Sequence, residues 1–158
     1  PIFFDPGQWL SEFSDVELRE LIGLSDYVIC NEHEWDILQK NACLTADEVI
    51  DQVRQAIVTL GPKGVDIYRE HRDTVRSPAI QPRQSGDATG CGDAFRAGYI
   101  AGLIAGQEAE LCARIGALTA TFNLEHEDPQ GYRFDESEFA HRYRDAFGGD
   151  VPSAIWQS

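Results

Sequence analysis

The stretch SGDATGCGDAFRAGYIAGLIAG, from Ser85 to Gly106, sets a polar, glycine-containing loop directly against a helix built of small residues. Gly90 and Gly92 leave the backbone bare, so several amide N–H groups can converge on one anion at the helix's first turn. Asp93 then places a carboxylate beside that anion site. A carboxylate is repelled by a phosphate, and the arrangement gains a purpose if Asp93 takes a proton from the group attacking the phosphate. The pattern is that of a phosphoryl-transfer site, with the amides of Gly90, Cys91 and Gly92 facing the charge and Asp93 as the base. Other glycine loops fail to fit. The chain has no G-x-x-x-x-G-K-[ST], and Phe95 fills the third glycine position of a dinucleotide fingerprint begun at Gly90.

Outward from this loop, the 158 residues, 42% of them hydrophobic, suffice for a single domain burying roughly 70% of its extended-chain surface. The formal net charge of −14 opposes binding to nucleic-acid backbone or an anionic membrane surface, so a phosphate site here relies on backbone amides, helix ends and Mg²⁺. Cys30, Cys43, Cys91 and Cys112 form no C-x-x-C pair and no metal spacing with the histidines, which reads as reduced thiols. Neither a membrane span nor a signal peptide is legible, and a cytoplasmic protein is expected. The chain has no Met and opens on Pro1-Ile2-Phe3-Phe4-Asp5, already a buried strand. A fragment of a longer protein is the expectation, although loss of an initiator Met would give the same start.

The periodicities predict strand, helix and strand in alternation. Ile2 to Asp5 is a short strand, stopped by Asp5-Pro6-Gly7. Ser14 and Glu17 form a capping box that opens a helix with Leu18, Leu21 and Ile22 on one face. Asp26 to Cys30 is the next strand. Asn31 and Glu34 are spaced as another capping box, and Thr45 with Glu48 opens a helix to Val53. Ala56 to Gly61 is a β-branched strand running into the turn Pro62-Lys63-Gly64, after which Val65 to Glu70 alternates as a hairpin strand. Thr74 to Pro82 is extended. Gly98, Gly102 and Gly106 recur every four residues, a face on which another element can pack closely. A second helix runs from Glu108 to Leu124 with Gly116 at its middle, where something must approach the backbone. Asp135 and Glu138 frame a last helix. The order is that of an α/β domain with a largely parallel sheet and ligand at the strands' carboxyl ends.

Residues 86–95, GDATGCGDAF, resemble the D-T-x-G-A-G-D motif of the ribokinase (PfkB) family of sugar and nucleoside kinases. Ala88 and Cys91 depart from its commonest form and leave every proposed catalytic group in place. Asn31-Glu32-His33-Glu34 is similar to the family's N-x-x-E motif, and Thr59-Leu60-Gly61-Pro62-Lys63-Gly64 to its T-L-G-x-x-G nucleotide loop. The resemblance implies a ribokinase-like three-layer α/β/α sandwich, incomplete at its N-terminal side, with residues 1–158 as the nucleotide-binding half and no lid. It implies an ATP-dependent kinase with a sugar or nucleoside as acceptor and Asp93 as base. Asn31, Thr59, Gly61, Gly64, Thr89 and Gly116 become nucleotide contacts, packing being the alternative for Gly116. Glu34 holds Mg²⁺ through water, and Asp87 with Thr89 frames a site for a monovalent cation such as K⁺. A homodimer of the complete protein stays open, as does a nucleotide-binding module without catalysis. Asp5-Pro6-Gly7-Gln8, Gly90-Cys91-Gly92 and Thr121 to His126 look closest to the bacterial adenosine-kinase-like branch.

Overall fold

The structure, a computed structural model, describes residues 1–84, 86–128 and 131–156. Its chain divides into two compact units, one of residues 1–61 with 65–76, the other of residues 62–64 with 77–158.

The first unit is built on strands β1 (Phe3–Phe4), β2 (Tyr27–Asn31), β3 (Gln55–Thr59) and β4 (Val65–Tyr68), with helices α1 (Asp15–Leu24), α2 (Glu32–Ala42) and α3 (Ala46–Ile50) between them. The strands stand in sequence order, and β5 (Val75–Ser77) follows β4 at the edge of the sheet. β1, β2 and β3 are parallel, while β4 returns antiparallel to β3 with Val58 opposite Asp66. The sheet is therefore mixed and mostly parallel. Val28, Cys30, Ala56 and Val58 point to one face and join Leu18, Ile22, Trp35, Leu38 and Val49 in a single core. Their neighbours Ile29, Ile57 and Ile67, on the opposite face, are buried too, which is why these strands read as unbroken apolar runs.

All three helices of this unit begin as their sequences predict. Ser14 with Glu17, Asn31 with Glu34 and Thr45 with Glu48 each form both bonds of a capping box. The expected extension of α3 to Val53 is not met. The helix stops at Ile50, because the amides of Gln52 and Val53 turn back to Val49 and Ile50 in tightened turns. The Arg54 amide then bonds Asp26 O at 2.8 Å and launches β3 beside β2.

Helices α4 (Cys91–Ile104), α5 (Ala109–Leu124) and α6 (Glu136–Phe147) make up about half of the second unit. α4 lies against α5 through two glycines. A Cβ on Gly98 would stand 2.9 Å from Gly116 Cα and 3.0 Å from Ile115 O, and one on Gly102 would stand 3.0 Å from Cys112 Cα. The predicted stripe loses its third member. Gly106 lies beyond the helix with φ of 71° and open space around it, so it serves the turn rather than the contact. Ile115, Leu118 and Phe122 of α5 meet Phe139 and Tyr143 of α6, and Val151, Ile155 and Trp156 of the tail close that core. No helix among the described residues is long and apolar enough to cross a membrane.

Candidate active site

Asp87 organises the loop. Its Oδ1 accepts the Thr89 amide at 2.9 Å and the Thr89 hydroxyl at 2.8 Å, and these bonds, the amide's first, hold the carboxyl below its ordinary value. The chain then turns into α4 through Gly90, the N-cap, at φ 81°, a left-handed conformation that glycine adopts without strain. Of the three amides expected to form a cradle, one is engaged within the turn itself. The Cys91 amide donates to Ala88 O at 3.1 Å within the turn, whereas those of Gly90 and Gly92 have no backbone partner among the described residues. The Cys91 thiol points the other way, towards Ala120 O at 3.7 Å. Burial pushes its pKa up, and the Asp87 carboxylate adds to the rise. This cysteine is a packing group.

Asp93 sits in the first turn of α4 with its side chain 85% exposed. Arg96 Nη1 donates to Asp93 Oδ1 at 2.8 Å from a side chain only 24% exposed. A cavity of about 890 Å³ opens here, with Thr89, Gly90 and Asp93 on one side and Asp128, Tyr132 and Phe134 on the other. That volume suits a small organic substrate or nucleotide.

The loop is fastened from behind. Arg142 grips the Glu125 carboxylate with two bonds of 2.6 and 2.7 Å, both side chains being nearly inaccessible. The same carboxylate accepts the Arg83 amide at 2.6 Å, and Gln84 Nε2 donates to the Glu125 carbonyl at 2.7 Å. Gly86 N–H then reaches Leu124 O at 2.8 Å, and a Cβ on Gly86 would come within 2.5 Å of that oxygen. Residues 83, 84 and 86 are thus tied to the end of α5 immediately before Asp87. Burial pushes the Glu125 carboxyl up, but the bonds from Arg142 and Arg83 outweigh it and hold it below its ordinary value.

Asn31, Glu34, Thr59 and Gly61 belong to the first unit. Asn31 and Thr59 are register partners at the carboxyl ends of β2 and β3, where parallel sheets present ligands. The Glu34 Oε2 accepts the Asn31 amide at 2.9 Å, and Asn31 Oδ1 accepts the Glu34 amide at 2.8 Å. The motif is therefore a realised capping box, in which Glu34 Oε1 has no hydrogen-bond partner among the described residues. No group of three or more His, Cys, Asp or Glu among the described residues could hold a metal. One carboxylate oxygen fits Mg²⁺ held mainly by water and substrate phosphates, not a protein cage. Gly61 adopts φ 57° in open space, leaving its backbone approachable.

Two predicted nucleotide contacts have packing reasons of their own within the second unit. Gly64, at φ 104°, has no room for a side chain, since a Cβ would fall 2.1 Å from Ser77 O. Gly116 is buried under Phe95, whose carbonyl would be 2.8 Å from its Cβ. What approaches the Gly116 backbone is helix α4. Three participants escaped the sequence reading: Arg96, Glu125 and Arg142. Arg96 was legible as an i,i+3 partner of Asp93, whereas Glu125 and Arg142 are 17 positions apart and nothing local links them.

A helix that starts on a left-handed glycine and offers a carboxylate from its first turn, in a chain with a mostly parallel sheet, is an α/β arrangement suited to holding an anion at the helix N-terminus. Residues 3–133 match the family model described as pfkB family carbohydrate kinase, and the chain belongs to that family. It is 35% identical over 124 residues to a nucleoside kinase of Methanocaldococcus jannaschii, an alignment covering 78% of this chain and 41% of that protein. The structure of Burkholderia thailandensis nucleoside kinase in complex with inosine superposes with a TM-score of 0.92 at 33% identity, covering 95% of this chain and 49% of that one. The same enzyme in complex with ADP-inosine gives 0.92 at 32% identity, over 96% and 47%. The chain spans about half the length of the relatives it matches.

Proposed function

We propose that the protein moves the γ-phosphate of ATP to a hydroxyl of a purine nucleoside, with Asp93 as general base. The observation that carries this reading is the position of Asp93, in the first turn of α4, beside the bare backbone of Gly90 and Gly92 and open to a cavity of substrate size. A pure nucleotide binder gains nothing from a carboxylate there.

In the proposed step, Asp93 accepts the proton of the attacking hydroxyl as its oxygen bonds to the γ-phosphorus, and the bond from that phosphorus to the leaving ADP oxygen breaks. The amides of Gly90 and Gly92 and the helix N-terminus face the charge on the transferring group. Mg²⁺ would supply positive charge against the phosphates, and Glu34 and Asn31 are the residues that would hold it through water. Thr59 and Gly61 are the proposed nucleotide contacts of the first unit. Asp87 and Thr89 are the proposed frame for a monovalent cation, through backbone oxygens, since the Asp87 carboxylate is engaged by Thr89. The nucleoside acceptor is supported by the inosine complex of the Burkholderia enzyme and the likeness to nucleoside kinases.

The test is an acceptor panel, run with ATP and Mg²⁺ on the protein as its gene encodes it. Inosine, adenosine, ribose and fructose are compared by kcat/KM, with Asp93→Asn as control. The purine nucleosides are expected to lead, and Asp93→Asn to lower turnover by roughly 10² to 10⁴-fold with ATP affinity held or improved. A tenfold preference for a free sugar would end the nucleoside assignment, and near-normal turnover of Asp93→Asn would end the base assignment.

A further inference from the structure

We infer that Arg96 is the positioning residue of Asp93, an inference that rests on Asp93 as the base. Arg96 Nη1 holds Oδ1 at 2.8 Å, and Oδ2 has no partner among the described residues. One oxygen is thereby fixed by a donor and the other is free to receive a proton. Without that bond, a carboxylate 85% exposed would sample several rotamers.

The simpler account is an i,i+3 ion pair on a helix surface, which contributes little. Two observations argue for more. First, the pair is asymmetric: the arginine is 24% exposed against 85% for its partner, so a largely covered guanidinium holds an exposed carboxylate. Second, the guanidinium lies over Gly92 in the first turn of α4. A Cβ on Gly92 would stand 3.1 Å from Arg96 Nη1 and 3.8 Å from its Cζ, so the bare glycine also makes room for the arginine.

Charge gives the arrangement its use. Asp93 must stay close to a phosphate that repels it, in a chain with a formal charge of −14. A cation bonded to Oδ1 offsets that repulsion at close range, where screening by salt is weakest. Arg96 therefore serves the rate through Asp93, by orientation and by charge.

The experiment is a double-mutant cycle on the gene-encoded protein with γ-labelled ATP and a purine nucleoside. Arg96→Gln is expected to lower kcat by roughly 10 to 10²-fold, with both KM values within a few-fold and an unchanged melting temperature. Arg96→Lys, which can still reach the carboxylate, is expected to recover most of the loss. In an Asp93→Asn background Arg96→Gln should cost nothing further, because the group it positions is gone. An equal loss in both backgrounds would overturn the inference, as would a rise in KM for ATP at unchanged kcat, which would mean that Arg96 serves the nucleotide. If Arg96→Gln does not fold, the same cycle is run with Arg96→Lys, where a small loss confined to the Asp93 background supports the inference and equal losses overturn it. Near-normal activity of Asp93→Asn alone marks failure of the base assignment instead.

Discussion

Arg142→Met is expected to destabilise the protein far more than an ordinary arginine substitution. The side chain is 6% exposed, gives Glu125 two charge-assisted bonds, and lies 4.4 Å over the Phe122 ring. Methionine fills much of the volume but leaves a buried carboxylate with only the Arg83 amide among its present donors. Removing one partner of a buried pair costs about 3–5 kcal/mol, or about 6–20 °C of Tm at the 2–4 °C per kcal/mol usual for a chain of this size. Glu125→Leu combined with Arg142→Met should lose less than the single change, because no uncompensated charge stays buried. Its residual cost, about 1–3 kcal/mol, is the orphaned Arg83 amide. The assay is urea and thermal unfolding of wild type, single and double variants at several pH values. Since the folded Glu125 carboxyl titrates below its ordinary 4.5, its contribution is present above that value and lost as pH falls through the folded pKa. Acid should therefore erode wild-type stability more than that of the double variant. A single-variant loss below about 1 kcal/mol, or a double variant worse than the single, would refute the reasoning.

Gly98→Ala should cost about 1–3 kcal/mol despite the gain of roughly 1 in helix propensity, because the new methyl meets Gly116 Cα at 2.9 Å and Ile115 O at 3.0 Å, backbone that cannot step aside. A raised urea midpoint would show that the α4–α5 contact is looser than it stands. Calorimetry on the 158-residue chain should detect Mg·ATP binding, held or strengthened in Asp93→Asn as the repulsion between carboxylate and phosphate is removed. A folded sample giving no nucleotide heat would contradict the placement of the anion site.

The fold was most legible where a local pattern carried its own physics. Ser14, Asn31 and Thr45 each announce a helix by offering an oxygen to the third residue's amide, and each following glutamate returns the bond. The apolar runs read at 26–30 and 56–61 became the adjacent parallel strands Tyr27–Asn31 and Gln55–Thr59. Legibility failed where distant backbone decided the outcome. Nothing in residues 45–53 says that Asp26 will draw the Arg54 amide and end α3 early, and the four-residue spacing of Gly106 could not show that its φ is positive.

The site shows the same division more sharply. A glycine in a loop motif is usually read as bare backbone for a ligand, the reading we propose for Gly90, whose left-handed φ starts α4. It is incomplete for Gly64, Gly86 and Gly116, each of which faces a carbonyl or ring of its own chain too close for any side chain. Gly92 joins the two cases, since the space it leaves is bounded by the Arg96 guanidinium. Spacing alone therefore separates neither role. What distinguishes these glycines is the identity of the nearest atom, a backbone carbonyl for Gly64, Gly86 and Gly116 and the Arg96 guanidinium for Gly92.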